Sequence, residues 1–179
     1  MKNIIVTLVF AVSGGVSYGQ LYLTRNGFIG FYSKTPLEDI RGENNQVYAI
    51  VDIGKKELAF SSLVKGFIFP KALMQEHFNE NYMESDKYPK ANFSGSFSGN
   101  VDVKKNGIYP VTVKGKFSIH NTTQEVDLPA ALEVKDGRLL GVAQFKIKPE
   151  DYHIDIPSIV RDKIAKELTV SVKVDCSPK

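Results

Sequence analysis

The sequence predicts an all-β protein, an up-and-down antiparallel barrel of about eight strands with one or two short helices. Three observations predict it. Apolar and polar residues alternate with a period of two over long stretches. Residues suited to tight turns separate those stretches. Helical periodicity is confined to one short segment and one shorter turn. A two-sheet sandwich is the second choice. A membrane barrel is disfavoured, because the second face of the strands carries Lys and Glu along its whole length rather than an apolar band.

Taken in order, Phe28 to Tyr32 reads as the first strand. Val47 to Ile53 and Leu58 to Val64 flank Gly54-Lys55-Lys56 as a hairpin, and Phe67 to Phe69 reads as a short strand. From Asn92 to Val103 the odd positions Phe93, Gly95, Phe97, Gly99, Val101 and Val103 form a dry face opposite Ser, Asn and Asp. Asn106-Gly107 reads as a hairpin turn, since both residues tolerate positive φ. Tyr109, Val111, Val113, Gly115, Phe117 and Ile119 make the next dry face, and Asn121 to Gln124 turns the chain. Val126 to Val134 repeats the pattern, Asp136-Gly137 turns again, and Leu139 to Ile147 continues it. The last strand is Leu168 to Val174.

Lys71 to Tyr82 reads as a helix with Leu73, Met74, His77, Phe78 and Tyr82 on one side and Gln75, Glu76, Asn79 and Glu80 on the other. A second short turn is expected over Ser158 to Ala165, with Val160 and Ile164 facing inward.

The beginning of the chain has the pattern of a secretory leader over residues 1–19. Lys2 supplies the charge, Ile4 to Val12 the apolar run, and Ser17 and Gly19 a cleavage site. That run is too short for a membrane span. The expected product is a single domain over 20–179, periplasmic or secreted, and without a stable membrane span. Removing Lys2 lowers the formal charge from +3 to +2. Near-neutral, interleaved charge gives no nucleic-acid footprint. Cys176 is the single cysteine, so no internal disulfide forms; it is placed beyond the last strand.

The chemistry candidates are sparse. His77 stands among Glu76, Glu80, Glu84 and Asp86, but the helical phase points His77 and the carboxylates apart, and metal ligands must converge. By phase His120 lies outside at a strand end, suited to a turn or cap, and His153 lies in a loop. A meeting of His77, His120 and His153 at a barrel rim would be an accident of folding. No phosphate loop and no G-x-S-x-G elbow occurs. No catalytic residue, metal site or conventional cofactor is expected.

Gly95, Gly99, Gly115 and Gly141 interrupt the dry faces, as do Ala130 and Ala143. Either the glycines bend strands and make room for neighbouring phenylalanines, or they keep the interior open for a guest. The phenylalanines Phe31, Phe60, Phe93, Phe97, Phe117 and Phe145 are likewise a core or the wall of a tunnel.

"MESDKYPKANFSG", "VTVKGKFSIHNTTQEVDLP", "FKIKPEDYHIDIP" and "ELTVSVKV" resemble, in order and spacing, the elements of the YceI-like family. The opening "LTRNGFIGFYSKT" departs from that family's pattern. The resemblance implies a lipocalin-like barrel that holds an apolar lipid, isoprenoid-like in some members, and has no agreed reaction. It favours a hollow interior. Phe60, Phe93, Phe97, Val113, Phe117, Ile119 and Phe145 are then the expected wall residues. The alternative is a filled barrel that acts through its outside as an envelope-stress or protein-interaction module. Oligomeric state stays open, a dimer included.

Overall fold

The computed structural model describes residues 21–179. The leader expected over 1–19 lies outside them. Eight antiparallel strands close into one barrel in chain order. They are β1 (Leu21–Lys34), β2 (Asp39–Asp52), β3 (Glu57–Leu63), β4 (Lys90–Ser98), β5 (Gly107–Ile119), β6 (Thr122–Lys135), β7 (Arg138–Ile147) and β8 (Leu168–Pro178). Up-and-down order fixes the ends. The long connections, 64–89 and 148–167, leave from the same end as the tight turns 35–38 and 120–121. The opposite end carries 53–56, 99–106 and 136–137.

Alternation is preserved through β4 to β8. Phe97, Val111, Val113, Phe117, Leu128, Leu132, Leu139, Val170 and Val174 are buried while neighbours such as Ser96, Ser98, Lys114, Lys116, Asp127 and Lys173 are exposed. Phe93 lies opposite Phe117, and Phe97 opposite Val113. The two first strands are longer than the periodicity indicates, because each contains an irregularity that reverses phase. In β1 the register with β2 shifts on both sides of Gly27, so Tyr22 and then Gly27 face inward. In β2 the inward set passes from Asn44 to Val47. Asn44 holds that step. Its Nδ2 donates to Leu63 O at 2.9 Å, and its Oδ1 accepts from Gln46 N–H at 2.7 Å. The side chain is fully buried with both ends satisfied, as a buried amide must be.

Two turn assignments are corrected. Asn106-Gly107 does not make a two-residue hairpin. β4 ends at Ser98, and the chain crosses an eight-residue loop before β5. Val101 and Val103 in that loop pack against the core and close this end. The Tyr109 hydroxyl sits between Lys105 O at 2.8 Å and Asp102 O at 3.1 Å, pinning the loop. Asn106 is used through its side chain instead. Its Nδ2 donates to Asp136 Oδ1, and its Oδ1 accepts from Asp136 N–H. At the other end the β5–β6 turn is His120-Asn121, both at positive φ, rather than 121–124. Asp136-Gly137 turns as expected, with φ of 50° and 78°.

Cys176 is also corrected. It lies within β8 opposite Leu139 and is completely buried. Burial, then the neighbouring Asp175, pushes its thiol up to about 11. Burial likewise pushes Tyr152 up to about 12, with Asp151 adding. Both folded groups keep a proton that the unfolded chain gives up from its ordinary values, 9.0 and 10.0. Above pH 9 the native state therefore binds more protons, and stability falls as pH rises. A pH series of thermal melts is expected to decline from about pH 9 to about 12, with the first part flattened in Cys176→Ala. A thiol reagent at neutral pH should label Cys176 only after unfolding.

Candidate functional site

The short helix α1 (Ala72–His77) continues as a π-helical turn over Phe78–Tyr82 and lies across the end carrying the long connections. It is anchored by aromatic contacts. The Phe78 ring stacks on Phe31 at 5.5 Å and meets Phe67 and Phe69 at 5.4 and 4.9 Å. Phe67 to Phe69 is not a full strand. Ile68 makes one bridge to Glu43, which leaves the flanking phenylalanines turned toward the interior. The 3-10 turn Ser158–Val160 covers the other side. Ala165 N–H donates to the buried Ser33 hydroxyl at 2.8 Å, tying that connection to β1.

Between these covers and the barrel lies an apolar cavity of about 390 Å³. Ile29, Phe31, Ile40, Met74, Tyr82, Met83, Ile154 and Ile164 are among its walls. The charged side chains Glu38, Lys71 and Lys163 stand at the rim with His77, while the buried Ser33 lines the wall. Lys71 Nζ is 3.2 Å from Glu38 Oε1. A smaller space of about 90 Å³ lies deeper. Ile29, Ala91 and Phe117 border both, so they form the partition between them. Beyond the inner space the barrel is packed with Tyr22, Ala49, Phe97, Val111, Val134, Leu139 and Cys176. The interior is thus a cup at one end with a narrow extension, and a solid core below.

Of the expected wall residues, Phe117 borders both spaces and Ile119 the outer cup. Phe60, Phe93, Val113 and Phe145 surround the inner space. Phe97 borders neither and lies 4% exposed in the packed core. Most of the outer cup comes from residues outside that set. Val160 and Ile164 face inward, as their spacing predicts, and the helix over Leu73 to Tyr82 covers one end of the barrel, also as expected; that both connections line one cavity is seen only in the structure.

The small residues divide by role. A Cβ on Gly95 would stand 2.7 Å from the Gly115 Cα, and one on Gly115 would stand 2.6 Å from Phe93 Cζ. These two glycines let β4 and β5 approach closely. A Cβ on Gly141 would meet Val174 Cγ2 at 2.9 Å. Gly141, with Ala130 and Ala143, also borders the inner space.

The histidines separate. His77 reaches the cavity rim, while Glu76, Glu80 and Asp86 side an outer polar groove. Among the described residues no group of three or more His, Cys, Asp or Glu side chains could hold a metal ion. No helix among them is long and apolar enough to cross a membrane. His120 has the most connected position of the three. Its Nδ1 is 3.1 Å from Tyr152 O and its Nε2 3.2 Å from Glu84 Oε1, with Tyr88 edge-on at 4.6 Å. Both partners accept, so an imidazolium donates to both and a neutral ring to one. His120 therefore links the two long connections that cover the cup. His153 is separate, with Nδ1 2.9 Å from Thr122 Oγ1.

The hydrogen bond from His120 holds the Glu84 carboxyl below its ordinary value, with Lys87 adding to the effect. The unfolded or detached carboxylate protonates first as pH falls, so this tie is present above the ordinary value of 4.5 and is lost in more acid solution. Protection of the Met83 to Lys87 amides, measured against their intrinsic exchange rates, should fall below about pH 4.5, and Glu84→Gln should remove most of that acid dependence.

A closed antiparallel barrel of eight strands, with an apolar cup under a short helix, has the build of the lipocalin-like barrels. The chain belongs to the YceI family: the family model, described as a YceI-like domain, matches residues 24–176. Among solved structures it is similar to a polyisoprenoid binding domain from Saccharophagus degradans implicated in plant cell wall breakdown. The TM-score is 0.76 and the identity 12%, over 90% of this chain and 99% of that one. It is also similar to BcnA from Burkholderia cenocepacia, with TM-score 0.70 and 14% identity over 84% and 96% of the two chains. A YceI protein of Campylobacter jejuni matches with TM-score 0.60 and 16% identity, over 77% and 84%. At these identities the likeness is one of fold. No curated protein matches the sequence.

Proposed function

We propose that this protein is an exported, periplasmic or secreted binding protein that sequesters or carries one apolar, isoprenoid-like lipid chain. The hydrocarbon occupies the cup and the head remains at the rim beside Lys71, His77 and Lys163. The observation that carries this reading is the 390 Å³ cavity with its aliphatic and aromatic lining, its charged groups at the mouth, and one buried hydroxyl, Ser33, already engaged by Ala165 N–H. Such a site selects by shape and apolarity. Removing hydrocarbon from water contributes about 25 cal/mol per Å², so tight binding needs few polar contacts. A polyisoprenoid-binding domain of the same fold supports the choice of an isoprenoid-like chain.

The role is binding rather than turnover. The most connected titratable pair, His120 with Glu84, is spent on holding the covers. Native mass spectrometry of protein purified from its own host tests the reading. One lipid per chain, replaceable after stripping by an isoprenoid alcohol, is the expected result. Repeated recovery of an empty barrel that takes up no such lipid would transfer the function to the outer surface, as an envelope-stress or interaction module.

A further inference from the structure

We infer that the cup end of the barrel docks on an anionic lipid surface, with Leu37, Leu73 and Ile159 entering the interface and Arg161, Lys163 and Lys166 meeting the headgroups. Ile159 is 89% exposed, Leu37 68% and Leu73 60%. Single exposed aliphatic residues are ordinary on a protein surface. These three differ because each stands on a different connection and all surround one opening. Leu37 precedes Glu38 of the rim, Leu73 borders the cup on α1, and Ile159 precedes Val160 on the 3-10 turn. The comparably exposed Ile68 lies on the same connection as Leu73 but is bridged to Glu43 on β2, and Ile108 lies at the far end.

The charge on this face selects the surface. Residues 158–166 carry Arg161, Lys163 and Lys166 against Asp162 alone. Of the neighbouring acids, Glu38 is paired with Lys71 and Glu167 with Lys146 at 2.7 Å, and Glu76 and Glu80 side the outer groove; Asp39, Glu150, Asp151 and Asp155 also lie at this end, so the positive charge is confined to the 158–166 side of the opening. Among the described residues Arg161, Lys163 and Lys166 have no ion-pair partner, and aliphatic side chains flanked by such cations are the pattern of an interfacial contact with anionic lipid. Continuity with the cup adds a reason for the arrangement: a lipid leaving a bilayer through this face passes from hydrocarbon into the cavity without crossing water. The last point rests on the proposed lipid-carrying role; the docking itself does not.

Sedimentation with phosphatidylcholine vesicles, with and without phosphatidylglycerol, tests it on protein purified from its host. Anionic vesicles should bind the protein at least about tenfold better at low salt, and the advantage should fade as salt screens it. Arg161→Gln with Lys166→Gln should weaken binding to the anionic vesicles by about 25-fold, roughly fivefold per cation removed. Leu37→Asp with Ile159→Asp should abolish sedimentation on both. These four positions are exposed and lie outside the cup lining, so cargo retention and melting temperature should hold. Absence of sedimentation, or sedimentation indifferent to both double variants, overturns the inference. So does a dimer in light scattering that the Leu37/Ile159 variant splits, which would make the face a contact with a second copy. An empty barrel that still binds vesicles leaves the docking standing and removes the cargo; a loaded barrel that ignores vesicles does the reverse.

Discussion

Gly95→Ala is expected to destabilise the barrel by about 2–4 kcal/mol, and Gly115→Ala by a similar amount. Gly95 faces Gly115 across β4 and β5, and a Cβ added to either lands on the partner strand's backbone. Two effects oppose each other. Alanine removes the entropic disadvantage of glycine in a strand, a gain of about 0.5–1 kcal/mol. Against that, the obstructing atoms are backbone, Lys114 O for Gly95 and Ser94 O for Gly115, and no rotamer change relieves them. The strands must separate and weaken the ladder between them. Overpacking ordinarily costs about 1–3 kcal/mol even where side chains can move, so the clash wins. For a domain of this size the melting temperature should fall by about 4–16 °C. Gly54→Ala is the control, since its nearest neighbour would be Asp52 Oδ1 at 3.4 Å, an ordinary contact. Equal melting temperatures for Gly95→Ala and Gly54→Ala would mean that the two strands do not approach so closely.

Ala91→Phe should reduce affinity for an apolar chain by about 100-fold while leaving the fold intact. Ala91 stands with Ile29 and Phe117 where the outer cup meets the inner space. A benzyl group there occupies the floor of the cup and closes the extension. If it displaces about 100 Å² of lipid contact, the loss is about 2.5 kcal/mol at 25 cal/mol per Å², close to two powers of ten. The added ring enters space that is already open, so the overpacking cost should be small. Displacement of a fluorescent fatty probe measures the affinity, and a thermal melt monitors the fold. Unchanged affinity in a folded Ala91→Phe protein would place the cargo elsewhere. Val170→Phe, on the cup wall, gives a second reading if Ala91→Phe fails to fold.

The sequence and the structure part company at identifiable residues. β4 to β8 were legible because a period of two is a direct consequence of the pleat, and one buried face enforces it. The early strands were legible only in part. The phase steps beside Gly27 and Asn44 place an extra residue in the strand, and a periodicity that has only changed face then reads as one that has stopped. Asn106-Gly107 gave a local turn signal that tertiary packing overrode, since the Asn106 side chain is committed to Asp136 on the neighbouring turn. The phenylalanines were assigned to the interior correctly as a face, but the sequence does not say at what depth each one lies. Phe97 is core, Phe93 borders the inner space, and Phe117 stands at the partition.

By itself the sequence determined an antiparallel all-β fold, with a barrel ahead of a sandwich, most of the inward face of β4 to β8, and the position of the short helix, because alternation and turn chemistry are local properties of the chain. Only the tertiary structure decided which end is open, how far the opening reaches, and that Gly95 and Gly115 bring strands together rather than leave space. Those depend on distances between residues far apart in the chain, set when the ring of strands closes and the long connections fold over one rim.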